Sequence, residues 1–420
     1  MKLLLPVAVV VMLTSCAAFA QAPDSAASIA EDDVDWWETD TLTNNWFSLG
    51  PAMREHGIRL AASAAYFEQK MVIGDGDMST ALGGKLDALL NVNLHKLGLW
   101  SGLSMLAHGE YTFGESSNGV GGTLLPVNTA LQVPGTKQNQ FDITSLVIAQ
   151  RFNETFSLVV GKTNLADIAA LHPFAGGLGL TRFMNAGLVA APSGAKPTHL
   201  YAATLSATTK WATFSLGGYG GTSALHEMNF TDAFDQGWLM AATITVPVKP
   251  FGLPGNQTFN VLWGNREPPT EGQISDFFLE AIGLPTTLDT TRLVFTYAFD
   301  QFLVKWGEGR NDGWGIWGRA VVADDSITAI AWSVVGGIGG TSTIPGRGLD
   351  RWGIGGFYYS VANYLKTPIT GLEDEHGIEC FYAVAVTPWL RVTPDLQIIN
   401  PGVGNRDTAV FVALRTVVRF

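Results

Sequence analysis

The chain has 420 residues, 47% of them hydrophobic and 15% charged, well below the roughly 25% charged of soluble domains. Mean hydropathy is +0.19, yet beyond the N-terminus no apolar run reaches the about 18 residues of a membrane helix, so the apolar residues must be dispersed, as in alternation. The net charge of −12 comes with no basic patch, which argues against a nucleic-acid partner.

Residues 1–20 read as a signal peptide, with Lys2, an apolar run from Leu3 to Leu13 and small residues up to Ala20. Cleavage at Ala18-Phe19-Ala20 would make Gln21 the first mature residue. Leu13-Thr14-Ser15-Cys16 also resembles a lipobox, which would leave Cys16 lipidated. The former site is preferred. In either case Cys380 is then alone, so no internal disulfide is expected despite an oxidising compartment. Residues 21–44 form an acidic leader. Seven acids and no base fall between 24 and 40, which predicts a flexible, solvated segment and accounts for most of the negative charge.

The remaining 45–420 reads as one β-barrel domain. A short helix is expected from Pro51 to His56, stopped by Gly57. From Ile58 onward the period is two. In "KLDALLNVNLH", Leu86, Ala88, Leu90, Val92 and Leu94 share one parity. Lys85, Asp87, Asn91, Asn93 and His95 share the other. After a tight turn, Leu103, Met105, Ala107, Tyr111 and Phe113 alternate with Ser104, His108, Glu110 and Thr112, which completes a hairpin. Strand-like runs recur at 140–152, 154–162, 201–209, 211–219, 237–248, 257–265, 290–306, 313–322, 326–336 and 351–361. The last are "HGIECFYAVAVT", "LRVTPDLQII" and "TAVFVALRTVVRF", for about sixteen strands in all.

Short turns are expected at 96–99, 153, 209–210 and 324–325, and long loops at 114–139, 163–196, 220–236, 266–289, 337–350 and 362–375. That asymmetry suits an all-β transmembrane antiparallel barrel, closed so that every backbone group is paired in lipid. A soluble sandwich would carry more charge outside, and no repeat supports a solenoid. Pro394 is a misfit inside its strand, because it cannot donate to a ladder. In the closing strand Val410, Val412, Leu414 and Val418 form a lipid parity, while Arg415 and Arg419 share the opposite one. Cys380, in phase with Tyr382 and Val384, is placed on a lipid face.

Several segments resemble the carbohydrate-selective porins of the OprB type. They are "NNWFSLGPAMREHGI", "LGLWSG", "VVGKTN", "GWGIWGRA", "IPGRGLDRWGIGG", "VTPWLRVTPDLQIINPG" and "RTVVRF", in this order after residue 44, with Phe47 and Ser48 where a Gly pair is expected. The resemblance implies a sixteen-stranded outer-membrane barrel that passes small sugars by diffusion. It implies no cofactor, and as partners sugars, outer-membrane lipid and the barrel-assembly machinery, with homo-oligomerisation left open. Phe420 resembles the terminal aromatic residue by which that machinery recognises its clients.

A pore that favours sugars needs polar groups to replace water and aromatic faces for the ring. By parity, lumen candidates are Lys85, Asp87, Asn91, Asn93, His95, His108, Glu110, Lys162, Arg292, Asp300, Arg319, Glu379, Arg391, Asp395, Gln397, Arg415 and Arg419. Nearest mid-height are Asp87, Asn91, Glu110, Arg319, Glu379, Asp395 and Arg415. Lys162 is added because "GKTN" runs into a long loop that could fold inward, and Trp317 as a stacking ring in phase with Arg319. For each residue, general wetting of the lumen is the simpler reading. Trp100, Trp211, Trp306 and Trp389 lie near strand ends and fit interfacial girdles.

The seven histidines form no H-E-x-x-H pair and no G-x-S-x-G elbow occurs, so neither a metal nor a serine nucleophile is expected. "GDGD" at 74–77 reads as a turn, and "GGIGG" at 336–340 is not followed by a helix, so it is no phosphate cradle. The rival reading is a barrel-embedded or secreted carbohydrate-active enzyme, or a secreted sugar-binding β protein.

Overall fold

The structure, a computed structural model, describes residues 39–47, 49–132, 139–190, 198–265, 292–307, 312–324, 330–366 and 371–420. The signal peptide and residues 21–38 of the leader lie outside the described residues. A helix at Leu49–Glu55 precedes the first strand, as the Pro51–His56 pattern predicts. Sixteen strands follow. They are β1 (Ile58–Ile73), β2 (Thr80–Asn93), β3 (Leu103–Gly114), β4 (Gln140–Arg151), β5 (Phe156–Asn164), β6 (His199–Thr208), β7 (Thr213–Gly220) and β8 (Trp238–Val248). Next come β9 (Gly255–Gly264), β10 (Arg292–Lys305), β11 (Gly313–Ala323), β12 (Ile330–Thr341), β13 (Arg351–Val361), β14 (Glu375–Ala385), β15 (Leu390–Asn400) and β16 (Ala409–Arg419). Each pairs antiparallel with its sequence neighbours, and β16 pairs with β1 to close the barrel.

Closure leaves no sheet edge, so the ladder satisfies the backbone without water. The seam is reinforced beyond the strands. The N–H of Phe420 donates to the Ala62 carbonyl (2.9 Å) and that of Leu42 to Arg419 (2.8 Å). The Trp46 indole donates to Leu60 (2.8 Å). Alternation sorts the two faces. Ile354, Ile378, Leu396, Ile398, Val412 and Leu414 are exposed outward, while Glu379, Asp395, Gln397 and Arg415 are buried inward. Cys380 lies on the outward parity of β14, in phase with Ile378.

Pro394 faces outward within β15. The β14–β15 ladder is interrupted between Phe381↔Asp395 and Val384↔Val392, so the missing N–H falls where no pair is formed.

The connections fall into two sets. Turns 94–102, 152–155, 209–212, 249–254, 342–350 and 386–389 lie at one end, with the helix and Phe420. Connections 74–79, 221–237 and 401–408 lie at the other, as do the starts of the connections that follow β3, β5 and β13. Two expectations are corrected. The connection that leaves β11 after Ala323 starts at the loop end, and the stretch read as a long loop from 337 begins as strand, because β12 runs to Thr341, and its remainder, 342–350, lies at the turn end. Its Gly-Gly-Ile-Gly-Gly composition looks like loop. In the barrel its inward glycines, Gly337 and Gly339, sit opposite Gly355 and Gly353 of β13, where interior space is needed.

That space is filled by the chain between β5 and β6. Phe174, Phe183 and Leu188 enter the barrel and form a core with Trp317, Phe357, Phe381 and Phe411. A Cβ on Gly353 would stand 2.9 Å from the Phe183 ring, and one on Gly315 would stand 2.6 Å from Phe174. The small residues on the wall are therefore what lets two aromatic rings bury inside. Each is worth roughly 1.5–3 kcal/mol of burial.

Candidate functional site

The interior has two unlike walls. On the first, β2 to β5, charges meet the inserted segment. Lys85 forms an ion pair with Glu110 and lies 3.9 Å from Asp87. His108 stands between two acids, with Nε2 3.0 Å from Asp87 and Nδ1 2.9 Å from Asp167. Only a ring protonated at both nitrogens can donate to both carboxylates. Asp167 belongs to the short helix Leu165–Ala169, whose N-cap is Asn164. Ser145 donates to Asp167 (2.6 Å), and the Asn164 amide donates to Glu110 (3.3 Å). The network thus pins the start of the inserted segment to the wall. Asp87, His108 and Glu110 bring ligand atoms within 4.8 Å of one another, but the Lys85 ammonium already supplies the balancing cation. This donor set suits an internal ion network better than a metal.

Farther round, β14 to β16 hold the inserted segments by their backbone. Glu379 accepts from the N–H groups of Met184 and Asn185, the latter at 2.9 Å. The Asn185 amide donates to Gln397 (3.1 Å), which itself donates to Asp395 (3.2 Å) and to the Val127 carbonyl (2.9 Å). Arg415 donates to the Gly179 carbonyl. Two inward positions nearer the loop end, Glu375 accepts from Leu124 (2.6 Å), Leu125 (3.2 Å) and Gly402 (3.2 Å). Carboxylates facing backbone N–H groups make strong, charge-assisted bonds, and a buried one requires them.

The second wall, β6 to β10, is mostly neutral, with the Asp300 carboxylate on its last strand. Its inward side chains pair across strands: Ser206 with Ser215 (2.8 Å), Thr208 with Thr213 (3.3 Å) and Thr245 with Thr258 (3.1 Å). The Asn260 amide donates to Thr243 (2.7 Å), and that of Asn256 to Asp300 (3.1 Å). Most of these groups are half-buried, so they keep a face toward the interior. Under the helix Leu165–Ala169, Tyr219 and Thr204 of this wall join Val147, Val159 and Asp167 around a small hollow.

The positions singled out in the sequence separate accordingly. Asp87, Asn91, Glu110, Trp317, Arg319, Glu379, Asp395 and Arg415 all stand on inward parities. Glu110 and Arg415 have no exposed surface and Glu379 only 1%, so they lie beneath the inserted segments. Asp87 and Arg319 are half-buried, and Arg319 feels the Tyr359 hydroxyl on β13. Trp317 faces inward, but its ring is 5% exposed and meets the edges of His172 and Phe183. Lys162 pairs with Asp142 (3.1 Å), which also accepts from the N–H of His226 in the connection 221–237. Among the wider parity set, Asn93 caps the turn at Leu94–Leu97, and His95 sits exposed within that turn. The side chain of Arg292 lies outside the described residues.

Two things were missed. Asp167, Arg182 and Asn185 come from a segment without period, which carries no signal of direction. The neutral wall did carry one: Thr204, Ser206, Thr213, Ser215, Thr243, Thr245, Thr258 and Asn260 all fall on the polar parity of their strands. Weighting by charge passed over them.

Comparison with solved structures agrees with this architecture. The high-pH structure of Pseudomonas putida OprB superposes with a TM-score of 0.77 at 16% identity, covering 92% of this chain and 100% of that one. Its low-pH structure gives 0.58 at 14% identity, covering 91% and 99%. The outer membrane channel DcaP of Acinetobacter baumannii gives 0.51 at 11% identity, covering 86% and 97%. At these identities the likeness is one of fold. No protein of curated function matches the sequence. The profile of the carbohydrate-selective porins, OprB family, matches residues 78–420. Most of the barrel is covered by that match, and the chain belongs to the carbohydrate-selective porin family, as a β-barrel of the bacterial outer membrane.

Proposed function

We propose that small sugars cross this barrel by passive diffusion along the neutral wall of β6 to β10, with the charged walls acting as the frame that narrows the passage. The observation that carries this reading is the run of hydroxyl and amide pairs, most of them half-buried, from Ser206–Ser215 through Thr245–Thr258 to Thr243–Asn260. A sugar hydroxyl can exchange water for such a group at a net gain of about 0.5–1.5 kcal/mol per bond. That is enough to favour entry and too little to prevent release.

The charged residues have a second role in this reading. Glu379, Asp395 and Arg415 hold the inserted segments, while Asp87 and Arg319 keep a partial face to the interior and touch the solute. Lys162 closes the gap beneath the connection 221–237, and Asn91 wets the turn end of β2. Trp317 acts as a backing for Phe183, not as a stacking platform. Phe420, bonded through its N–H to Ala62 at the seam, serves as the terminal signal read during assembly. A carbohydrate-active enzyme would need a carboxylate pair free to move protons. The Glu379–Asp395 pair is instead committed to backbone N–H groups and Gln397.

Liposome swelling tests the reading. Proteoliposomes should swell in isosmotic glucose or arabinose and should not hydrolyse a disaccharide. Absence of swelling with every monosaccharide would remove the channel reading.

A further inference from the structure

The inserted segment is tied to the wall in two different ways. In its second half Glu379 accepts from the N–H groups of Met184 and Asn185, and Arg415 donates to the Gly179 carbonyl. At its start the tie runs through an imidazole. Asp167, in the first turn of the helix Leu165–Ala169, meets His108 of β3. The two bonds of that ring set its proton count. Nδ1 lies 2.9 Å from Asp167 and Nε2 3.0 Å from Asp87. A carboxylate accepts and does not donate, so both nitrogens carry hydrogen and the ring is an imidazolium. A neutral imidazole has one N–H and one bare acceptor. When the ring loses a proton, one carboxylate faces a lone pair. The surviving bond then joins its acid to a neutral donor and loses the attraction between opposite charges. The link between segment and wall weakens whichever nitrogen gives up its proton.

Every element packed against the ring brings charge or hydroxyl to it. From β2 come Asp87 and Lys85, the latter paired with Glu110. From β3 comes Glu110 itself, with a carboxylate oxygen 4.0 Å from Nδ1. Ser145 of β4 stands opposite His108 and donates to Asp167 (2.6 Å). Asp142, also of β4, stands opposite Glu110 and pairs with Lys162 of β5 (3.1 Å). His199 of β6 feels Glu110, Asp142 and Asp167. Within this group Lys85 joins wall to wall and Lys162 joins strand to strand, whereas His108 joins the wall to the inserted segment. Asp87 keeps a partial face to the interior, which gives the ring proton a route to water.

We propose that His108 is a positioning residue for the passage, a latch that holds the start of the inserted segment on the wall while the ring carries both protons and releases it as pH rises. This rests on the channel reading and adds a control to it: the same sugar path is narrower in acid than in alkali. Glu379 and Arg415 still hold Gly179, Met184 and Asn185 after release. The helix Leu165–Ala169 therefore swings from these far ties, and the segment stays inside the barrel.

Planar-bilayer recording on the full chain tests it, from about pH 5 to about pH 10, a span that brackets the ordinary imidazole. Wild-type unit conductance should rise in one reversible step as pH increases, and glucose-driven swelling should rise with it. His108→Gln should lack the step and keep the high, alkaline conductance throughout, because an amide in that place does not titrate. Asp167→Asn should lack it too, yet keep the low, acid conductance, because an amide accepts from a protonated Nδ1 and donates to a bare one. Opposite plateaus from the two ends of one bond separate positioning from general loosening. A step that survives either substitution, or two variants with the same plateau, overturns the latch. Should neither variant assemble, the wild-type profile decides. One proton changes the latched-to-released ratio at most about tenfold per pH unit, so a flat, falling or steeper profile overturns it. A channel without the step leaves the sugar path standing, and a protein that passes no current at any pH overturns both.

Discussion

The wall of β2 to β5 and the wall of β6 to β10 are built from the same alternation and do opposite work. On the first, buried charges are spent on the protein itself: Lys85 on Glu110, His108 on Asp87 and Asp167. On the second, hydroxyls and amides pair weakly across strands and keep one face open. A charged group inside a barrel is therefore no marker of the passage. Burying it demands a partner, and the nearest partner is an inserted segment. Neutral polar groups cost less to leave half-paired, so the proposed route runs where side chains are least conspicuous.

The largest way to break this contrast is to strip one buried charge of its partner. Lys85→Met should strip the buried Glu110 of its ammonium partner and cost about 3–5 kcal/mol. The check is the temperature at which the folded, heat-modifiable band is lost on a gel. An unchanged transition would mean the charges are already solvated. Next, Glu379→Ala should free the backbone of Met184 and Asn185, at about 1.5–3 kcal/mol per charge-assisted bond. Single channels should become larger and noisier as the inserted segment loosens. Quiet channels of wild-type size would count against Glu379 as a holding group.

Thr258→Val with Asn260→Leu should leave stability within about 1 kcal/mol and slow glucose uptake several-fold, since each lost bond is worth about 1 kcal/mol. Swelling rates give the answer, and equal rates would move the passage off this wall. The smallest effect is at the loop end. Burial would raise the Asp374 carboxyl, but Lys366, the Tyr358 hydroxyl (2.9 Å) and the Val361 N–H (2.9 Å) hold it below its ordinary value of 3.8. The tie is present above that value and lost as pH falls through the lowered one. Loop gating noise should therefore rise only in acid, and noise that begins at neutral pH would assign it elsewhere.

Much of this was legible. Strand number, closure and facing follow from period two, because lipid and lumen impose opposite polarity on alternate residues. In β16 the parity that separates Leu414 from Arg415 is the one the structure shows. The inserted segment was not legible. Residues 165–190 have no periodicity, and their direction depends on space left by Gly315, Gly353 and Gly355 on distant strands. For the same reason, a glycine-rich stretch of β12 looked like loop. The inward direction of Trp317 was readable, but the ring that covers it, Phe183, was not.

Cysteine accessibility tests the central claim most directly. In a Cys380→Ala background, Thr258→Cys should react with a small charged methanethiosulfonate, and glucose should slow that reaction. Phe183→Cys, at a position without exposed surface, should react far more slowly. A Thr258→Cys channel that resists the reagent, or reacts at the same rate with and without sugar, would contradict a sugar path along β6 to β10.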